Sequence, residues 1–450
     1  MDLQGVPVTI VGLGRSAAAA AALLRAVGAR PFVTDSADTP PQAPWRAELE
    51  ELGVPFETGG HTDRAWDAAG LVVLSPGVPP SIAPVQALRK RGVPVLGELE
   101  LASRFARAPL LAVTGTNGKT TVTEMLRHIL VEIGYRAALA GNNHTAFSSA
   151  VLADPSPDYF VLEVSSYQLE TIETFRPYVG AVLNLTPDHL GRHGDLDGYA
   201  AAKARLFLNQ QPGKDVAVLN GDDPRVRTMA VPEGVRHIHF QLEAVPETGL
   251  GWDGAGLVVD GQSIPMRCPL PGRHNLENAL AALAVLHGAG LSIPDSIRAL
   301  ESFRGVAHRL EFAGSRGGIA FYNDSKSTNV DSLRVALEAF EQPVTLIAGG
   351  QGKGSSYTPL APLVRARVRH LVALGEDGPV LARALSEAAP VTVVRDMAAA
   401  VAEAIARTPP GGTVLLSPGC ASFDQYANFE ERGAHFKALV GALTEEECLS

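Results

Sequence analysis

One loop in the sequence has residue types suited to phosphate chemistry: Thr114-Gly115-Thr116-Asn117-Gly118-Lys119-Thr120-Thr121. The backbone N–H groups of such a loop wrap phosphate oxygens. The Lys119 ammonium neutralises terminal phosphates, and the Thr120 hydroxyl can hold Mg²⁺. The general phosphate loop reads G-x-x-x-x-G-K-[ST]. Here Val113 stands where its first glycine would fall, so the match is a shortened variant. An apolar strand before it and a helical stretch after it supply the right context. Residues 115–121 are therefore expected to bind ATP.

A second glycine turn, Gly12-Leu13-Gly14-Arg15-Ser16-Ala17, also follows a strand and opens a helix, with Asp35 ending the next strand. This GxGxxA pattern suits a diphosphate-bearing ligand, because glycines admit close approach and the helix N-terminus attracts anions. It equally suits a plain tight turn, and it identifies neither base nor sugar.

Further polar residues fall at strand ends. Glu163 is either a Mg²⁺ ligand or an exposed strand-end acid. In the run 184–193, Asp188 or His189 is a candidate metal ligand in what is otherwise a polar loop. Lys203 lies in an alanine-rich helix and by itself reads as a solvated surface lysine. Arg273-His274-Asn275, His308-Arg309 and Asn323-Asp324-Ser325-Lys326 are polar clusters at element ends. Together they suggest several domains converging on one polyphosphate.

The elements that must position these groups recur in three blocks. Residues 6–12, 30–34 and 71–74 read as strands around a helix at 16–27. Strands at 110–114, 159–164 and 180–185 follow, with helices at 120–134 and 275–288 and short strands within 236–270. Strands at 318–322, 344–348, 370–374, 391–394 and 413–416 close the chain. The expected fold is α/β with three domains, 1–98, 99–304 and 305–450, each on a mainly parallel sheet. The 450-residue length agrees with about three domains.

The net charge of -10 argues against a nucleic-acid backbone as partner. Cys268, Cys420 and Cys448 have no metal-ligand spacing and do not make a disulfide framework. No basic leader or apolar span is apparent, so no membrane insertion and a cytoplasmic location are expected.

Six segments in order resemble the Mur ligase family, the ATP-dependent amino-acid ligases of peptidoglycan synthesis. They are Gly115–Thr121, Leu162-Glu-Val-Ser-Ser-Tyr-Gln-Leu-Glu170, Thr186-Pro-Asp-His189, Gly272-Arg-His-Asn275, Ala307-His-Arg309 and Asn323-Asp-Ser-Lys-Ser-Thr-Asn329. The Ser-Ser-Tyr-Gln-Leu-Glu stretch, the loop Gly349-Gly-Gln-Gly-Lys353 and the run 416–430 are most similar to members that add D-glutamate to UDP-N-acetylmuramoyl-L-alanine.

The resemblance implies a Rossmann-like first domain that binds UDP, not NAD, through Gly14, Arg15, Ser16, Asp35, Ser36, Ser75 and Gly77, with Asn142 and His189 also on this substrate. It implies a P-loop-type central domain with Lys119, Glu163, His189 and Lys203 as catalytic residues. Two Mg²⁺ sites are implied, at Thr120 and Glu163 and at His189 and a carbamylated Lys203. Asn275, Arg309, Asp324 and Lys326 would join Gly115, Thr116, Asn117, Gly118, Lys119, Thr120 and Thr121 on ATP. Thr328, Lys353, Ser422 and Phe429 would hold the amino acid in a Rossmann-like third domain. A monomer is expected. Two departures stand out: Gly141-Asn142-Asn143-His144 replaces the usual Gly-Asn-Ile-Gly, and Gln351 stands where an acid is common. A folylpolyglutamate-synthase type of ligase would share the ATP loop without needing the first domain. A nucleotide-binding regulator would share it without ligase chemistry. An NAD-dependent dehydrogenase would explain Gly12–Ala17 alone.

Overall fold

The computed structural model describes residues 1–245, 249–352 and 354–443. The strands form three sheets in succession along the chain. The first contains β1 (Pro7–Val11), β2 (Arg30–Thr34), β3 (Phe56–Glu57), β4 (Leu71–Leu74) and β5 (Val95–Gly97), in the order β3-β2-β1-β4-β5. All its pairings are parallel. Successive side chains of a strand point to opposite faces. Accordingly Val8 and Ile10 of β1 enter one apolar cluster while Val11 enters another, and Leu71 and Val73 part from Val72 and Leu74 in the same way. Both faces are covered, as a parallel sheet requires. The helix Arg15–Ala26 supplies the first crossover, and its buried run Ala17–Ala21 lets it lie close to its neighbours.

The second sheet contains β6 (Leu110–Thr114), β7 (Ala137–Gly141), β8 (Tyr159–Glu163), β9 (Val179–Val182), β10 (Val216–Asn220), β11 (Arg236–Gln241), β12 (Gly249–Trp252), β13 (Gly256–Val259) and β14 (Gln262–Pro265). Its order is β14-β13-β12-β11-β10-β9-β6-β8-β7. The strands from β7 to β12 run parallel, and β13 and β14 finish the sheet antiparallel. The third contains β15 (Glu311–Arg316), β16 (Ile319–Asn323), β17 (Val344–Gly349), β18 (Val368–Leu374), β19 (Val391–Val393) and β20 (Thr413–Leu416), ordered β15-β16-β20-β17-β18-β19. Among the described residues, the β15–β16 pairing is the one antiparallel strand pair of this sheet.

The chain forms two compact units. Residues 1–267 with 277–301 carry the first two sheets, and residues 268–276 with 302–450 carry the third. Five strands go beyond the sequence reading: β3, β5, β7, β10 and β15. β3 has two residues, and β7 reads Ala-Ala-Leu-Ala-Gly without a β-branched side chain. β15 is interrupted by an irregularity at Phe312/Gly314. Among the described residues, no helix is long and apolar enough to cross a membrane.

Ligands of open α/β sheets bind beyond the carboxyl ends of strands, where the strand order reverses. β1 has β2 on one side and β4 on the other, and β6 has β8 and β9. The loops after β1 and β6 are the two glycine loops.

Candidate active site

The phosphate loop is pinned from β9. Asn184 O accepts from Thr116 N at 3.0 Å, and Asn184 Oδ1 accepts from Asn117 N at 2.8 Å. Gly118 caps the helix Lys119–Glu132 at φ +85°, the left-handed region that glycine enters without penalty. Its absent Cβ also leaves room for the Asn278 side chain. Lys119 Nζ folds back over the loop and donates to Gly115 O at 3.0 Å and Thr116 O at 2.9 Å.

Glu163 is fully buried at the end of β8. Its Oε2 accepts from the Thr120 hydroxyl at 2.8 Å. Its Oε1 accepts from Asn142 Nδ2 at 3.0 Å and Asn143 Nδ2 at 2.7 Å. His144 Nε2 lies 3.4 Å from Oε2. Burial alone would raise the carboxyl pKa. Hydrogen bonds from His144 and Asn142, the Lys119 charge and the Thr120 hydroxyl outweigh it and bring the value down to about 2. The group is therefore a carboxylate, not an exposed strand-end acid. Thr120 and Glu163 present two hard oxygens within one hydrogen bond of each other, a donor set that fits Mg²⁺. Among the described residues no three His, Cys, Asp or Glu side chains gather as a metal cluster. Hydroxyl, phosphate and water oxygens would have to complete the shell.

The surface-lysine reading of Lys203 is overturned. The residue sits in the helix Leu196–Ala204 and is 1% exposed. Its amine donates to Gly115 O at 2.8 Å and approaches Thr114 Oγ1 at 3.4 Å. Lys119 and Lys203 thus meet at a single carbonyl. Burial, then repulsion from Lys119, lower the Lys203 pKa to about 7. The amine also lies over the Tyr199 ring, 4.5 Å from its centroid. His189, exposed and at φ +52°, approaches the same ring at 6.3 Å. Its Nδ1 is 3.2 Å from the Tyr167 hydroxyl, and its Nε2 is 3.4 Å from Asp188. His189 and Lys203 therefore share Tyr199 as a neighbour, whereas Thr120 and Glu163 form a separate pair.

The first glycine turn lines a cavity of about 670 Å³. Gly14, Arg15, Ser16, Asp35, Ser75 and Gly77 all border it, joined by Trp45, Pro76 and Val78, which the sequence reading did not select. Ser36 is exposed just beyond β2. Asp35 Oδ2 accepts from Leu13 N at 2.6 Å, and Oδ1 accepts from Ala37 N at 2.7 Å. The acid thus holds the glycine loop in shape. Arg15 reaches from this cavity to Asn142 O at 2.6 Å. The cavity and the Glu163 cluster are therefore linked by hydrogen bonds.

In the second unit Asp324 and Lys326 follow β16, and Ser422 and Phe429 follow β20. Asp324 is 5% exposed; its oxygens accept from Ser417 Oγ at 2.7 Å and Leu310 N at 3.2 Å. Burial raises its pKa to about 7 against the lowering effect of the Ser417 hydrogen bond and the Arg309 charge. Arg309 is half-buried, and its charge is felt by both Asp324 and His274. Asn275, beside His274, is 4% exposed and donates to Pro271 O at 2.6 Å. The Lys326 ammonium lies 5.9 Å from the Phe429 ring centroid. Thr328 is half-buried and Ser422 buried. Lys353 lies outside the described residues.

Arg432, absent from the sequence reading, ties these segments together. It donates to Ser325 Oγ and O, Cys420 O and Ala421 O at 2.8–3.1 Å. Ser325 Oγ in turn donates to Phe429 O. No motif marks Arg432; it stands out only once the strand ends converge. Asn143 and His144 carried a signal, the polar run after β7, but it was read only as a departure.

A phosphate loop on a mixed sheet, a cavity lined by a glycine turn on a parallel sheet before it and a third sheet after it are parts that a nucleotide-dependent ligase would use. Three family models match in order. They are the MurD-like N-terminal domain at 7–97, the Mur ligase middle domain at 113–286 and the Mur ligase glutamate ligase domain at 308–420. The chain belongs to the Mur ligase family. A UDP-N-acetylmuramoylalanine–D-glutamate ligase of Salinibacter ruber is 44% identical over 98% of this chain and 99% of its own. One of Pelotomaculum thermopropionicum is 42% identical over the same shares. The crystal structure of the UDP-N-acetylmuramate–alanine ligase of Thermotoga maritima shares the fold at 19% identity and a TM-score of 0.61, covering 97% of this chain and 99% of that one.

Proposed function

We propose that this chain uses ATP to join D-glutamate to the alanyl carboxylate of UDP-N-acetylmuramoyl-L-alanine. Residues 1–98 would hold the uridine diphosphate, 99–304 the ATP and 305–450 the amino acid. The carrying observation is the meeting of Lys119 and Lys203 at Gly115 O beside the phosphate loop. It appears in a chain similar over nearly its whole length to D-glutamate ligases.

A carboxylate is a poor electrophile, so it must first be activated. Its oxygen attacks the γ-phosphorus of ATP, ADP leaves and an acyl phosphate forms. The glutamate amine then attacks the acyl carbon, phosphate leaves, the nitrogen loses a proton and an amide remains. Two anions have to approach in the first step, and Lys119 screens them from within the loop. Thr120 and Glu163 would hold Mg²⁺, which supplies charge neutralisation at the phosphates. His189, Arg15 and Asn142 would steady the UDP-linked substrate; Asn275, Arg309, Asp324 and Lys326 the nucleotide; and Thr328, Lys353, Ser422 and Phe429 the amino acid.

Lys203 fits the carbamate that the family resemblance implies. Only a neutral amine adds CO₂, forming an N–C bond and releasing a proton. An amine with a pKa of about 7 is about half neutral at pH 7, whereas an ordinary lysine is almost wholly charged. The product anion would sit beside the Lys119 ammonium in place of a second cation. It would add oxygen ligands for a second Mg²⁺ near His189. The reading places the enzyme in the cytoplasm, acting as a monomer.

Phosphate release by the purified chain, assayed with a panel of UDP-muramoyl acceptors and D- and L-amino acids, tests the proposal. Release should require both UDP-N-acetylmuramoyl-L-alanine and D-glutamate. Equal release without either substrate, or a preference for another amino acid, would overturn it.

A further inference from the structure

Three consecutive side chains in the turn after β7 reach one carboxylate. The turn is closed by Gly141 N to Thr145 O at 2.8 Å and His144 N to Gly141 O at 3.1 Å. It abuts β8 through Asn142 N to Glu163 O at 2.9 Å. Gly141 sits at φ +108°, where a Cβ would collide with the Glu163 carbonyl, so only glycine permits the approach. The contacts divide by oxygen. Oε1 takes the amides of Asn142 and Asn143, while Oε2 faces the Thr120 hydroxyl, with His144 Nε2 3.4 Å away.

We infer that Asn143 and His144 are positioning residues, which fix the Glu163 carboxylate so that Oε2 faces the Thr120 hydroxyl as a ready-made seat for a divalent cation. Asn143 touches both members of the pair, since its Nδ2 also lies 3.2 Å from Thr120 Oγ1. His144 ties Oε2 to the helix that starts at Lys119, through Thr123 Oγ1 at 3.2 Å and Glu124 at 3.7 Å. An asparagine amide orients a carboxylate without cancelling its charge. An arginine or lysine at that position would orient it too, but would compete with the cation. Groups that orient metal ligands typically contribute about 10–100-fold to metal affinity.

The inference rests on the reading of Thr120 and Glu163 as the Mg²⁺ pair, and its test separates the two. ADP binding to the full chain is measured by calorimetry across a Mg²⁺ series, with EDTA as the metal-free reference. Asn143→Leu and His144→Ala should each raise the half-saturating Mg²⁺ concentration about tenfold and leave ADP binding in EDTA unchanged. His144→Gln, which keeps a donor, should recover part of the loss. Variants that melt earlier but keep the parent's Mg²⁺ dependence, while Glu163→Gln loses it, would overturn the positioning role alone. An unchanged Mg²⁺ dependence in Glu163→Gln would overturn the pair itself.

Discussion

Replacing Lys203 by methionine should stabilise the first compact unit and abolish ligase activity. The Lys203 amine is buried against neutral oxygens, and its pKa is lowered to about 7. In the unfolded chain the value is about 10.4. Between these values the unfolded state binds more protons, so the parent gains stability as pH rises from about 7 to about 10. Below pH 7 the folded chain carries the full cost of the buried ammonium. A gap of about 3.5 pKa units at about 1.36 kcal/mol each makes that cost about 5 kcal/mol. Methionine fills a similar apolar space without the proton. The two hydrogen bonds it gives up return about 1–2 kcal/mol, which leaves the variant about 3 kcal/mol more stable at pH 7. All three tryptophans, Trp45, Trp66 and Trp252, lie in the first unit, so urea unfolding followed by their fluorescence reports on it. CO₂-free buffer keeps the amine unmodified, and added bicarbonate should then stabilise the parent but not the variant. A variant no more stable at pH 7, or an advantage that does not shrink by pH 10, would refute the argument.

Lys119→Ala should fold normally yet lose at least about 10²-fold in turnover, because it removes a cation placed where phosphate charge develops; phosphate release beside a thermal melt checks this. Asp35→Ala should free the Leu13 and Ala37 amides and weaken UDP binding about tenfold, as for the loss of a charge-assisted hydrogen bond, which titration calorimetry with UDP would measure. Glu100 accepts from the backbone N–H groups of Glu173, Thr174 and Phe175 and from Arg104. Burial raises its pKa, but the bonds from Thr174, Glu173, Arg104 and Phe175 outweigh it and hold the carboxyl below the ordinary range. Its contribution is thus complete above the unfolded value of about 4.3 and is lost as pH falls through the folded one. Glu100→Gln should therefore be less stable than the parent at pH 7, with a gap that narrows as pH falls below about 4.3, as read by thermal melts.

The glycine loops after β1 and β6 were legible because each combines a local backbone demand with a chemical side chain within a few residues. Glu163 was half legible: its strand-end position could be read, but the three side chains that reach it could not. Lys203 was misread from its surroundings alone, since Tyr-Ala-Ala-Ala-Lys-Ala-Arg gives no sign that Gly115 O, from a loop far back in the sequence, receives the amine. The family resemblance supplied that residue, and burial then supplied a physical reason. Arg432 failed in the opposite sense, for its four acceptors come from segments that only the third sheet assembles. β7 was invisible because alanine and glycine have low strand propensity, and its pairing with β8 comes from tertiary context.

Among the described residues, three open sheets leave six edge strands, and an unpaired edge invites another chain to add a strand. β3 spans two residues, while β5 and β19 span three each, too short to template much pairing. β15 is interrupted by its irregularity, and β14 ends in Pro265, which has no N–H to offer. β7 is the exception, a regular five-residue edge whose alanines and glycine make it a poor partner for strand addition. Valine or isoleucine introduced there would lengthen the chain's reach toward aggregation, beside the turn that carries Asn142, Asn143 and His144.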